Sequence, residues 1–210
     1  MEIVHDIPEG APIINIEGKR GESLFYRPVM PFIEKEFSLI SKQFERYKKL
    51  VEEAKEERLL ALIGAMSMEK VLELLLEAYI PDCTHIKDFI LSQKIELARS
   101  LQLIPAHIFD AAVLINSVRN KFVHELEIDC FDSLDSGTQD SLKQKYRVFF
   151  PNDRDAADSA VKNMFIGVVE CVVLGLRLYT SQVLAAKEYI YSGDFRRELN
   201  KRIKDKSGQH

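Results

Sequence analysis

From Phe32 to Ile80 the apolar residues recur every three or four positions, with Phe37, Ile40, Phe44, Tyr47 and Val51 on one stripe and Lys and Glu opposite. That period buries one side of a helix, and it excludes a sheet, whose strands alternate every second residue. A first long helix is expected there, then a leucine-rich second one over about 58–79, which Pro81 stops. A third helix is expected over roughly 86–102. Pro105 then fits the first position of a fourth, where its missing N–H costs nothing. Ser133, Asp135, Ser136, Gly137 and Thr138 read as a polar loop, with a short amphipathic helix to follow at 139–149. Asp155 and Asp158 resemble the N-cap and acidic first turn of a last long helix over about 156–191.

Residues 1–30 break this pattern. Pro8, Pro12 and Pro28 with Gly10, Gly18 and Gly21 forbid long helices and leave room for a short strand at Ile13–Ile16. The chain therefore divides into an extended arm at 1–30, an all-α, up-and-down helical bundle at 31–192 and a basic tail at 193–210. The tail's cations suit a helix C-terminus. A hydrophobic content of 46 % supplies the core.

The net charge of −4 argues against duplex DNA as a standing partner, because counterion release needs many clustered cations; RNA met at a local basic pocket is compatible with it. Met1-Glu2-Ile3-Val4-His5-Asp6 carries acids where a secretory leader carries a basic and then an apolar run, so a cytoplasmic location is expected. The longest apolar run, Met164 to Leu176, contains Glu170 and falls short of the ~20 residues that cross a bilayer, so no membrane partner is expected. Cys83, Cys130 and Cys171 are odd in number and widely spaced; reduced cysteines, at least two of them buried, are expected rather than a disulfide or zinc framework.

Several segments imitate motifs without meeting their requirements. "GKRGES" lacks the spacing and flanking strand of a phosphate loop, and "PNDRDAADSA" lacks the Gly and terminal Glu of a calcium loop. Cys83-Thr84-His85 has no third group to activate a thiol. Glu69, Glu73 and Glu77, four residues apart, read as a solvated helix face. No metal or cofactor site follows from these residues.

The fourth helix carries the anomaly. On a wheel, Ile108, Ala111, Ala112, Ile115, Val118 and Phe122 share an arc about 120° wide, and Arg119 falls inside it. A guanidinium there is costly unless an anion or partner meets it. His124, five residues on, points about 140° away on a straight helix, while Asn120 shares its face. Arg119 and His124 can therefore act together by two routes: the helix distorts near Val123, or a second subunit brings the counterparts across a twofold axis. Chemically, His can move the proton of a ribose 2′-hydroxyl or of the leaving 5′-oxygen near neutral pH. Arg can grip the phosphate and stabilise its developing charge, Asn120 can orient either group, and Lys121 can contact the RNA backbone. The bland alternative pairs Arg119 with an internal carboxylate such as Glu69 and leaves His124 as a helix cap.

"VRNKFVH" resembles the Arg-Asn-x-x-x-His signature of the HEPN superfamily, helical domains many of which are RNA-cleaving toxins or antiviral effectors. "KIELARSLQLIPAHIFDAAVLINSVRNKFVHE" is similar to the mannitol-operon repressor branch, and "LIGAMSMEKVLELLL" resembles the helix before it, with Met68-Glu69 where a Leu-Glu pair is usual. The likeness spans roughly residues 55–126, and more weakly 156–191; Val123 departs from the frequent Ala. It implies Arg119 and His124 as a catalytic pair with Asn120 as companion, in a homodimer whose two motifs face one cleft. The implied activity is a metal-independent endoribonuclease of toxin or phage-defence type, with RNA as substrate, no cofactor, and an antitoxin protein as a further partner. The same likeness admits a non-enzymatic regulator or binding module, although no helix offers the basic, polar face that reads a major groove. A plain helical scaffold is the third expectation.

Overall fold

The computed structural model describes residues 45–80, 85–153, 159–191 and 197. The arm at 1–30 with its expected strand, most of the first helix, Cys83, Asp155, Asp158 and the basic tail apart from Arg197 lie outside the described residues. Within them the fold is all-α. Residues 45–53 form α1. It is followed by α2 (Glu57–Tyr79), a 3-10 turn (Ile86–Asp88), α3 (Leu91–Ser100), α4 (Ala106–His124), a second 3-10 turn (Phe131–Ser133), α5 (Ser136–Phe149) and α6 (Val161–Tyr191). α6 packs against α2, α5 and α4, while α3 lies on α2 and α4.

Local chemistry sets the helix ends, and several differ from expectation. The third helix is interrupted: Phe89 and Ile90 are extended, and α3 starts afresh at Leu91 with the Gln93 side chain accepting the Ile90 N–H at 3.1 Å. It closes with Gln102 in the left-handed region, φ 55°. There Gln102 N–H donates to Arg99 O at 2.8 Å and Leu103 N–H to Ala98 O at 2.9 Å, the paired bonds of a Schellman stop. Pro105 is the N-cap of α4 and not its first residue, since its ψ of 160° is extended. The polar loop is shorter than expected because Asp135 caps α5, accepting the Thr138 N–H at 2.9 Å and its hydroxyl at 2.7 Å. α6 begins at Val161, five residues later than the expected 156.

Three fully buried rings tie the end of α4 to the centre: Phe122 meets Phe131 edge-on at 5.0 Å, and Phe131 meets Phe165 of α6 at 4.9 Å. α6 itself corrects the expected shortness of the apolar run. By length and hydropathy it is the one described helix that could cross a membrane, yet two-thirds of that stretch is buried against its neighbours. Cys130 and Cys171 are free thiols but only half-buried, which corrects the expectation of two buried cysteines. Burial, helped by the charge of Glu170, pushes the Cys171 thiol up to about 11.

The glutamate stripe of α2 is not a solvated face. Lys94 of α3, 1 % exposed, donates to Glu69 at 2.6 Å and to Glu73 at 2.7 Å. Glu77 continues the row at 3.6 Å from Lys87. Burial opposes the charge on both Lys94 and Glu73, but their mutual bonds prevail, raising the lysine and lowering the acid.

Gly167 allows α5 to sit on α6. A Cβ there would lie 2.8 Å from Cε2 of Tyr146, whose ring stacks on Phe150 at 4.6 Å and whose hydroxyl donates to Asp153. Gly167→Ala gains about 1 kcal/mol of helix propensity and meets an overpacking cost of about 1–3 kcal/mol. The ring is held from two sides, so the larger cost wins. Thermal melting is expected to fall by several degrees, about 2–4 °C per kcal/mol at this size; an unchanged or higher Tm would show that Tyr146 moves freely.

Candidate functional site

The expected site residues all lie in the last two turns of α4. This helix is regular through His124, closing with the Glu125 N–H on Lys121 O at 2.9 Å. The distortion near Val123 that would swing His124 towards Arg119 does not occur. The two side chains leave the axis about 140° apart, and no hydrogen bond joins them.

Arg119 sits where the wheel puts it, beside Ala112 and Ile115, both buried, and is itself half-buried. No carboxylate pairs with it among the described residues. Glu69, the acid that would neutralise it in the bland alternative, is held by Lys94. Instead Arg119 Nη1 donates to Asn120 Oδ1, its neighbour in sequence, at 2.9 Å in a partly buried bond. Asn120 and His124 are one turn apart on one face of the helix, so the carboxamide stands between the cation and the imidazole.

His124 is exposed and has no hydrogen-bond or ion-pair partner among the described residues. The other two described histidines are engaged. His85 lies 3.2 Å from Asp88. His107 packs edge-on against Phe149, and burial, opposed by the charge of Asp110, holds it below the ordinary histidine range.

Lys121 is committed elsewhere. Its Nζ lies 2.9 Å from Asp135 and 3.8 Å from Glu125. The Asp135 bond raises the lysine, and the same bond, with those from Thr138, holds Asp135 far below the carboxylate range. An RNA phosphate would have to compete with the α5 cap for this ammonium.

Three supporting residues escape a sequence reading. Arg58 Nη2 donates to Ile128 O at 2.8 Å and Leu126 O at 3.3 Å, and Glu57 Oε2 accepts the Phe131 N–H at 2.7 Å. The first turn of α2 thereby grips the linker that follows His124, and α2 runs antiparallel to α4. These bonds span about seventy residues and leave no local signal. Asp135 did have one, an Asp three positions before a Thr at the start of a helix. Together the arrangement presents a guanidinium bonded to a carboxamide, with no carboxylate partner among the described residues, and an exposed imidazole on one helix end, groups of the kind that hold a phosphate and move a proton.

No family model matches the chain, and neither a curated protein nor a solved structure does.

Proposed function

We propose that the protein is a metal-independent endoribonuclease of HEPN type, cytoplasmic and homodimeric, working in a toxin or phage-defence setting with an antitoxin protein as its regulator. The observation that carries this reading is Arg119, a half-buried guanidinium with no carboxylate among the described residues, hydrogen-bonded to Asn120 one turn from an unengaged His124. An unneutralised cation on an apolar stripe is costly until an anion reaches it. A phosphodiester supplies that anion. In the reaction, one imidazole takes the 2′-hydroxyl proton as the 2′-oxygen attacks phosphorus, and Arg119 stabilises the added negative charge. The P–O5′ bond then breaks, and the 5′-oxygen leaves with the proton that the same ring, now an imidazolium, returns to it. The products are a 2′,3′-cyclic phosphate and a 5′-hydroxyl.

A second reading has its own support. Because Arg119 and His124 diverge on one straight helix and Lys121 is already paired, a single chain could use this end only to bind, as a regulator similar to the mannitol repressor would. Incubating RNA in EDTA with wild type, Arg119→Ala and His124→Ala separates the two. Cleavage is expected to drop by at least about 100-fold in each variant, with the melting of His124→Ala unchanged because the ring is exposed. Equal degradation by all three preparations, or none by wild type, leaves the binding module.

A further inference from the structure

The two oxygens of Asp135 do different things. Oδ1 accepts the Thr138 N–H at 2.9 Å, which caps α5, while Oδ2 takes the Thr138 hydroxyl at 2.7 Å and Lys121 Nζ at 2.9 Å. The cap does not require the charge, because Asn caps a helix about as well as Asp. The charge is spent on Lys121, a helical neighbour of His124 at three residues, on the flank of the ring away from Asn120. The linker, more than the ion pair, brings the carboxylate there. Arg58 and Glu57 hold that linker at Ile128 O and the Phe131 N–H, and Phe131 and Leu134 are buried, so Asp135 reaches Lys121 on an anchored chain. The pair itself faces water, with the Asp135 side chain more than half exposed.

Resting on the ribonuclease reading, we infer that Asp135 is an autoinhibitory contact: its carboxylate occupies, on Lys121, the place of an RNA backbone phosphate beside His124. Phosphate and carboxylate compete for one ammonium, and Glu125, 3.8 Å from the same Nζ, adds a second acid to the competition. The anchored linker keeps Asp135 where it is, so RNA gains this contact only by drawing the lysine away and leaving the carboxylate to its Thr138 bonds. A water-facing ion pair holds weakly. The contact therefore lowers affinity for the backbone without closing the site.

The test measures binding of a fluorescent single-stranded oligouridylate, in EDTA and over a range of salt, by the His124→Ala protein, which cannot cut it. Asp135→Asn, the same with Lys121→Gln, and Asp132→Asn are added to that background. Asp132→Asn removes an equal charge nearby, from an exposed acid with no cation paired to it among the described residues. Asp135→Asn is expected to bind about threefold tighter, with log affinity falling more steeply against log salt by about 0.7 for the one added phosphate contact. Lys121→Gln should cancel both changes, and Asp132→Asn should gain less. Asp135→Ser, another uncharged cap, should repeat the gain if Asn disturbs α5. With His124 in place, Asp135→Asn should cut limiting RNA about threefold faster than wild type. No gain, a gain matched by Asp132→Asn, or one that survives Lys121→Gln overturns this inference and leaves the nuclease standing. The expected binding without cleavage by wild type removes the nuclease and keeps the contact; no binding by any variant sinks both.

Discussion

Mixing Arg119→Ala with His124→Ala protein, each inactive alone, is expected to restore RNA cleavage to about a quarter of the wild-type rate once subunits exchange. The expectation follows from the straightness of α4 up to His124. Its arginine and histidine diverge, so a working site under the proposed mechanism takes its guanidinium from one protomer and its imidazole from the other. In a twofold dimer of the two variants one site is intact and its mate lacks both groups. Random exchange makes half of all dimers mixed, which leaves about one site in four active. Each parent should sit at least 100-fold below wild type, at about 1 % or less, so the recovery is large. A mixture as inactive as its parents would rule out a shared site.

Lys94→Ala is expected to cost about 3 kcal/mol of stability and to lower Tm by roughly 6–12 °C. The substitution removes the cation between Glu69 and Glu73 and opens a cavity between α2 and α3. Both glutamates retain some access to water, so the cost stays at the lower end of the range for a broken buried pair. Acid should act in the same direction. Glu73 is held below its ordinary value of 4.5, so the unfolded chain binds its proton first on acidification. The stabilisation is complete above that ordinary value and disappears as the pH falls through the lower folded one. Lys94 is raised, so its share is lost at the other end, as alkaline pH passes the ordinary lysine value and then the folded one. Thermal melts from acid to neutral pH should therefore be steeper for wild type than for Lys94→Ala. Equal slopes would mean that the triad does not stabilise the fold. Lys94→Met with Glu69→Gln and Glu73→Gln should recover much of the loss, because apolar packing with neutral partners replaces buried charge at little cost.

The two cations show how far the sequence could be read. Arg119 stood out because it interrupts the apolar stripe of α4, and it is half-buried there with no acid paired to it among the described residues. Lys94 interrupts the stripe of α3 in the same way, among Leu91, Ile95 and Ala98, all buried. That anomaly was equally visible, but the expected helix over 86–102 had the wrong start, and the break at Phe89–Ile90 depends on one Gln93 bond. α2 was legible to within one residue, since a leucine-rich stripe and a proline bound it. The earlier start of α5 was not, because it depends on the Asp135 side chain capping the backbone. The grip of Glu57 and Arg58 on the linker could not be foreseen either: its partners are main-chain atoms, and any residue supplies those.

α6 spans 31 residues, about 46 Å from end to end, and touches α2, α4 and α5 along that length. It works as a keel. Loosening any one of those three strips cover from the same rod, so they share a single melting event and the slowest amide exchange belongs to its middle. α3 packs instead on α2 and α4, held there by the buried Leu91, Ile95 and Ala98 and by Lys94 between the two glutamates.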